Sequence, residues 1–96
     1  MRRAAKIDTN HTEIVSAFRK LGCSVLPLHT VGGGCPDIAV GKHSKTVLVE
    51  IKDGNKSSSR KKFTKDEEKF HEEWLGSVFV VESVEDVIAL VKALER

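Results

Sequence analysis

Residues 36–52 read PDIAVGKHSKTVLVEIK and place three ionisable side chains where they can act together. Asp37 opens one strand-like run, and Glu50 and Lys52 sit two apart in a second, TVLVEIK, thirteen positions later. Side chains alternate across a strand, so Glu50 and Lys52 project from one face while Val47, Val49 and Ile51 line the other. A short turn over 41–45 lets the two runs pair as a hairpin, which can bring Asp37 beside Glu50. Two carboxylates and an ammonium then meet at one spot. Like charges repel and burial disfavours ionised groups, so such a cluster is costly unless something offsets both terms. A hard divalent cation with oxygen ligands does so, and Mg²⁺ asks for only one or two carboxylates. Taken singly, Asp37 could be a turn residue after Pro36. Glu50 and Lys52 could equally be a surface ion pair worth under ~1 kcal/mol.

The elements that must position these residues follow from periodicity and punctuation. Asn10-His-Thr-Glu13 reads as a capping box, and Ile14, Ala17, Phe18 and Leu21 follow at helical spacing up to Gly22. Residues 23–28 form a short strand whose Pro27 suits an edge or an end. Residues 29–35, with three consecutive glycines, form a loop leading to Pro36. Strands over 37–40 and 46–52 come next. Residues 53–62, DGNKSSSRKK, carry no periodicity and read as a mobile loop. Thr64-Lys-Asp-Glu67 is a second capping box, opening a helix whose Phe70 and Trp74 are read as core anchors. Residues 77–81, SVFVV, form a strand of buried type. Ser83-Val-Glu-Asp86 caps a last helix with an apolar stripe of Val84, Val87, Ile88, Val91 and Leu94.

The resulting order is α-β-β-β-α-β-α, one domain over 1–96, and the expected fold class is α/β with a mixed sheet and helices on its faces. The crossover from 46–52 through 64–75 to 77–81 should be parallel and right-handed. No apolar run approaches the ~20 residues of a membrane helix. The start, MRRAAK, lacks an apolar signal core, so a cytoplasmic location is expected and Cys23 and Cys35 should be free thiols. Neither CxxC nor HxxxH spacing occurs, which argues against zinc held by Cys23, Cys35, His29 and His43. These histidines and His71 read as loop or surface residues.

Charge is unevenly distributed. Residues 42–65 carry eight lysines or arginines against Glu50 and Asp53, whereas residues 66–96 carry nine acids against three bases. A basic stretch around an acidic centre suits a polyanion partner. Lys42, Lys45, Lys56, Arg60, Lys61 and Lys62 are the expected phosphate contacts. Contacts of that kind read no bases and give strong salt dependence.

The element order, with Pro36-Asp37 at the second strand and Glu50-Ile51-Lys52 at the third, resembles the PD-(D/E)XK nuclease superfamily over residues 10–81. Phe63-Thr64-Lys65-Asp66-Glu67-Glu68-Lys69-Phe70, followed by His71 and Trp74, is most similar to the virus-type replication-repair nuclease (VRR-NUC) family, whose small stand-alone members are phage-encoded. Glu67 stands where that family usually has Gln, and Lys65 where Pro is frequent. The resemblance implies a restriction-endonuclease-like αβββαβ core with an additional C-terminal helix. It implies a homodimeric, Mg²⁺- or Mn²⁺-dependent endonuclease that cuts branched DNA in the manner of a Holliday junction resolvase. Asp37, Glu50 and the backbone carbonyl of Ile51 would then hold the cation. Lys52 would orient water and the scissile phosphate. Glu13 is a further ligand candidate with a competing role in the first cap, and Glu67 and Thr64 could support the site or simply cap their helix. The alternatives are a restriction or nicking enzyme of the same fold and a catalytically silent DNA-binding module.

Overall fold

The computed structural model describes residues 10–53 and 63–96. Within them the order is α1 (His11–Lys20), β1 (Ser24–Pro27), β2 (Ile38–Lys42), β3 (Lys45–Ile51), α2 (Lys65–Glu73), β4 (Val78–Val81) and α3 (Val84–Leu94). The strands form one sheet in the order β1-β2-β3-β4. The first three are antiparallel neighbours, and β4 lies parallel to β3. The mixed sheet is as expected, with α2 as the crossover that a parallel pair requires.

Alternation along the strands decides where the core sits. Ile38 and Val40 of β2, Val47, Val49 and Ile51 of β3, and Val81 of β4 are buried in one cluster with Ile14 and Phe18 of α1 and Val87, Leu90, Val91 and Leu94 of α3. Both helices therefore cover the same sheet face, opposite Glu50. The first helix ends in a Schellman motif, in which Cys23 N–H donates to Phe18 O at 3.0 Å and Gly22 N–H to Arg19 O at 3.0 Å. Gly22 supplies the left-handed residue this geometry needs, with φ of 86°.

Four sequence expectations are corrected. The strand over 77–81, expected to be of buried type, buries only Val81 in β4, while Phe79 and Val80 are 40% and 42% exposed. Asn10 makes no side-chain cap; its Nδ2 instead donates to Lys52 O and Glu82 O, each at 3.1 Å, tying α1 to the ends of β3 and β4. Phe70 and Trp74 are not core anchors: α2 buries no residue, and Trp74 is 46% exposed. The two rings stack on each other, with centroids 5.2 Å apart. The hairpin turn is tighter than expected, because Lys42 pairs with Lys45 and only His43 and Ser44 connect the strands. Both take positive φ, 53° and 65°, as the right-handed twist of the flanking strands demands of a two-residue turn. Among the described residues no helix is long and apolar enough to cross a membrane.

Candidate metal centre

The hairpin register sets the pair of carboxylates. Ile38 is opposite Val49, so continuing the ladder by one residue places Asp37 opposite Glu50. Pro36 is fully buried and fixes the chain direction just before Asp37. Asp37 is held from two sides. Its carbonyl accepts from Leu28 N–H at 2.8 Å, and its Oδ2 accepts from Ile51 N–H at 2.6 Å. Because Lys52 N–H points to β4, the backbone groups of Ile51 point the other way, toward Asp37.

Glu50 is 3% exposed, and among the described residues no donor reaches its Oε1. Burial, above all, pushes its carboxyl up to about 9. The charge of Asp37, a hydrogen bond shared with Asp37 and the charge of Glu67 act in the same direction, partly opposed by Lys52. A carboxylate oxygen so placed gains a partner from a shared proton or from a cation. Two adjacent oxygen ligands, one of them orphaned, fit a hard divalent cation in donor type. Among the described residues no group of three or more histidine, cysteine or acidic side chains is disposed to hold a metal. Mg²⁺ and Mn²⁺ are bound elsewhere through one or two carboxylates with water completing the shell, and the Asp37–Glu50 pair offers donors of that type.

Lys52 faces the same spot. Its Nζ lies 3.8 Å from Glu50 Oε2 and 2.9 Å from Glu67 Oε1. Glu67 Oε1 also accepts from Thr64 N–H at 3.0 Å, while Thr64 Oγ1 accepts from Glu67 N–H at 3.1 Å. The two roles weighed for Glu67 thus coexist, since one oxygen closes the capping box and fixes Lys52. Burial acts to raise the Glu67 carboxyl, but its hydrogen bonds from Lys52 and Thr64 win and hold it below its usual value.

Two residues named in the sequence for other reasons, Phe63 and Cys35, were not expected at this site. The Phe63 ring lies 5.2 Å from Lys52 Nζ, in cation–π range. Burial, with the charges of Glu50 and Asp37, pushes the Cys35 thiol up. A neutral thiol is a poor nucleophile, so Cys35 is a bystander. Its place directly before Pro36 was the available signal.

The remaining expected site residues lie elsewhere. Glu13 is exposed and lines a separate cleft with Asn10, Asp53, Glu82 and Glu85. It neither caps with Asn10 nor joins Asp37 and Glu50 in a ligand group. Lys42 and Lys45, expected to contact nucleic acid, sit at the opposite end of the hairpin. Lys42 Nζ donates to Leu21 O at 3.0 Å and lies 3.7 Å from Glu95. Lys45 Nζ donates to Leu94 O at 3.0 Å and Arg96 O at 2.7 Å. Both ammonium groups satisfy carbonyls at helix C-termini, where the helix dipole favours cations. Lys56, Arg60, Lys61 and Lys62 lie outside the described residues. Cys23 and Cys35 are free thiols, as expected.

The first turn of α2 reaches the site through Gly34. This residue has φ of 80°, and a Cβ on it would run into the carbonyl of Asp66 and the amide of Glu67. Gly34→Ala should therefore cost the left-handed penalty of about 1–2 kcal/mol plus about 1–3 kcal/mol for the clash. Gly33→Ala is the control: it also has positive φ, 64°, but nothing lies within 4 Å of its added Cβ. Urea denaturation should rank the alanine variants in that order, and equal losses would show that α2 does not rest on Gly34.

Comparison of the chain with protein-family models, with curated proteins and with solved structures gave no match.

Proposed function

We propose that the protein is a divalent-metal-dependent endonuclease hydrolysing phosphodiester bonds in DNA, selective for branched structure and acting as a homodimer. The observation that carries this reading is Asp37 set beside the buried Glu50, whose Oε1 has no hydrogen-bond partner among the described residues, with Lys52 facing both. Asp37, Glu50 and the Ile51 carbonyl would hold Mg²⁺ or Mn²⁺. Bound there, the cation supplies Lewis-acid chemistry, neutralising phosphate charge and acidifying water. Lys52 presents an ammonium to the non-bridging oxygens of the scissile phosphate and orients the attacking water. Glu67 keeps that ammonium in place through its 2.9 Å contact. Asp37, anchored by Ile51 N–H, is preorganised, so little rearrangement is needed on substrate binding. The lysines and arginine of residues 56–62 supply attraction to phosphates without base readout, which leaves DNA shape to select the substrate.

The test is incubation with linear duplex, single strand and a four-way junction, in Mg²⁺ and in EDTA. Wild type should cut the junction only with the metal. Asp37→Asn and Lys52→Ala should each lose at least about 10²–10³-fold in rate, the scale for removing one preorganised charge-stabilising group. Tight DNA binding by wild type without cleavage would replace this reading with a silent binding module.

A further inference from the structure

We infer that the groove along α1 takes an unpaired DNA strand, with its phosphates on Arg19 and Lys20. The groove has a volume of about 580 Å³. Its helix wall is two parallel stripes, His11, Val15 and Arg19 beside Thr12, Ser16 and Lys20, and Pro27 and His29 face them. Residues four apart are neighbours on a helix surface, so the groove follows α1 from end to end. From His11 to Arg19 the helix rises about 12 Å, the length of about three nucleotides stacked at about 3.4 Å each.

The lining selects the occupant. Among the described residues that form it none is acidic. Arg19 and Lys20 are exposed, and among the described residues neither is paired with an acid. Lys42 and Lys45, by contrast, are engaged by carbonyls. At the other end the His11 and His29 rings meet edge to face, with centroids 6.1 Å apart. Neither Nδ1 has a partner among the described residues, so packing alone holds the two rings together. Cations that track phosphates, with planar rings on which bases stack, are the means by which single strands are bound without base readout. A duplex keeps its base faces stacked inside and cannot use the rings.

The ring end of the groove opens beside Asp37 and Lys52. Leu28, next to His29, donates its N–H to Asp37 O at 2.8 Å, and Asn10, next to His11, donates to Lys52 O at 3.1 Å. The helix itself covers the sheet face opposite Glu50. A straight duplex lying over Glu50 therefore cannot enter the groove. A strand that parts from its complement near the cut can round the end of the sheet and follow α1. Selectivity for branched DNA then has a source in this chain, since only a branch reaches both faces. That use rests on the nuclease reading; strand binding in the groove does not.

Fluorescence anisotropy in EDTA tests the groove without hydrolysis, using a labelled oligothymidine, a blunt duplex and a splayed fork. Wild type should bind the fork more tightly than the duplex. Arg19→Ala/Lys20→Ala should lose at least about tenfold on the fork and on oligothymidine, the scale of one charged hydrogen bond, and keep its affinity for the duplex. Its salt slope on oligothymidine should fall by about 1.4, for two phosphate contacts. Ser16→Glu, which sets a carboxylate in the groove, should give the same pattern, with circular dichroism unchanged in both variants. An equal loss on duplex and fork, unchanged binding by both variants, or displacement of oligothymidine by polyglutamate at equal concentration would overturn the inference. Junction cleavage by Arg19→Ala/Lys20→Ala at the wild-type rate would overturn the groove and leave the nuclease reading standing. The expected binding pattern in a wild type that cuts no DNA would uphold the groove and remove the nuclease reading.

Discussion

Glu50→Gln should abolish hydrolysis and, in metal-free buffer, raise the melting temperature. The two effects share a cause. Glu50 is almost wholly buried beside Asp37, and its carboxyl is pushed up to about 9. At neutral pH, folding in the absence of a cation therefore requires the side chain to take up a proton that the unfolded chain has released. Glutamine has the same shape and no charge, and its amide can donate to Asp37 in place of that proton. The desolvation and repulsion terms vanish together. Each kcal/mol so recovered should raise the melting temperature by about 4–8 °C in a domain of this size. Hydrolysis, by contrast, loses an anionic ligand and should fall by about 10³-fold or more. A variant that melts below wild type in EDTA would mean that Glu50 is neutral at no cost, and the proposed cation site would lose its energetic rationale.

Metal-free wild type should also become less stable as pH rises from 5 to 9, the reverse of ordinary acid denaturation. Glu50 goes from the ordinary carboxyl value of 4.5 in the unfolded chain to about 9 in the folded protein. Between those values the folded protein holds a proton that the unfolded chain lacks, so unfolding releases it and stability falls with pH. The slope approaches about 1.4 kcal/mol per pH unit, or about 3 kcal/mol between pH 5.5 and 8. Glu67 has the opposite sign, since its lowered carboxyl contributes stability above its unfolded value, lost on acidification. The window above pH 5.5 therefore leaves out the contribution of Glu67. Urea denaturation at pH 5.5 and 8 should show the loss in wild type and its absence in Glu50→Gln. Parallel profiles for the two proteins would contradict the assignment.

The centre was legible in the sequence because it depends on local rules. Period-two alternation put Glu50 and Lys52 on one face, and the hairpin put Asp37 opposite Glu50. Thr64 and Glu67 gave their cap directly from spacing, and the α3 stripe gave Val87, Val91 and Leu94 of its buried face, but missed the buried Leu90 and included Ile88, which is 40% exposed. What escaped depended on partners distant in the chain. Asn10 resembled a cap, but two carbonyls at strand ends, 42 and 72 residues away, outcompeted its own helix. Lys42 and Lys45 resembled a phosphate-binding patch, yet helix C-termini from both ends of the chain fold back onto them. Phe70 and Trp74 have helical spacing, which cannot say whether a sheet face lies beneath. His43-Ser44 carries no turn signature, so Gly41, which is part of β2, drew the turn toward itself.

The most direct test of a cation held by Asp37 and Glu50 is the melting temperature at pH 8, with EDTA and with Mn²⁺, for wild type and Glu50→Gln. A ligand that binds only the folded state stabilises it by about 2.7 kcal/mol at a hundredfold excess over its dissociation constant. Mn²⁺ should therefore raise the wild-type transition by at least about 10 °C and leave Glu50→Gln where it was. An unmoved wild type, or an equal rise in both proteins, would contradict the site.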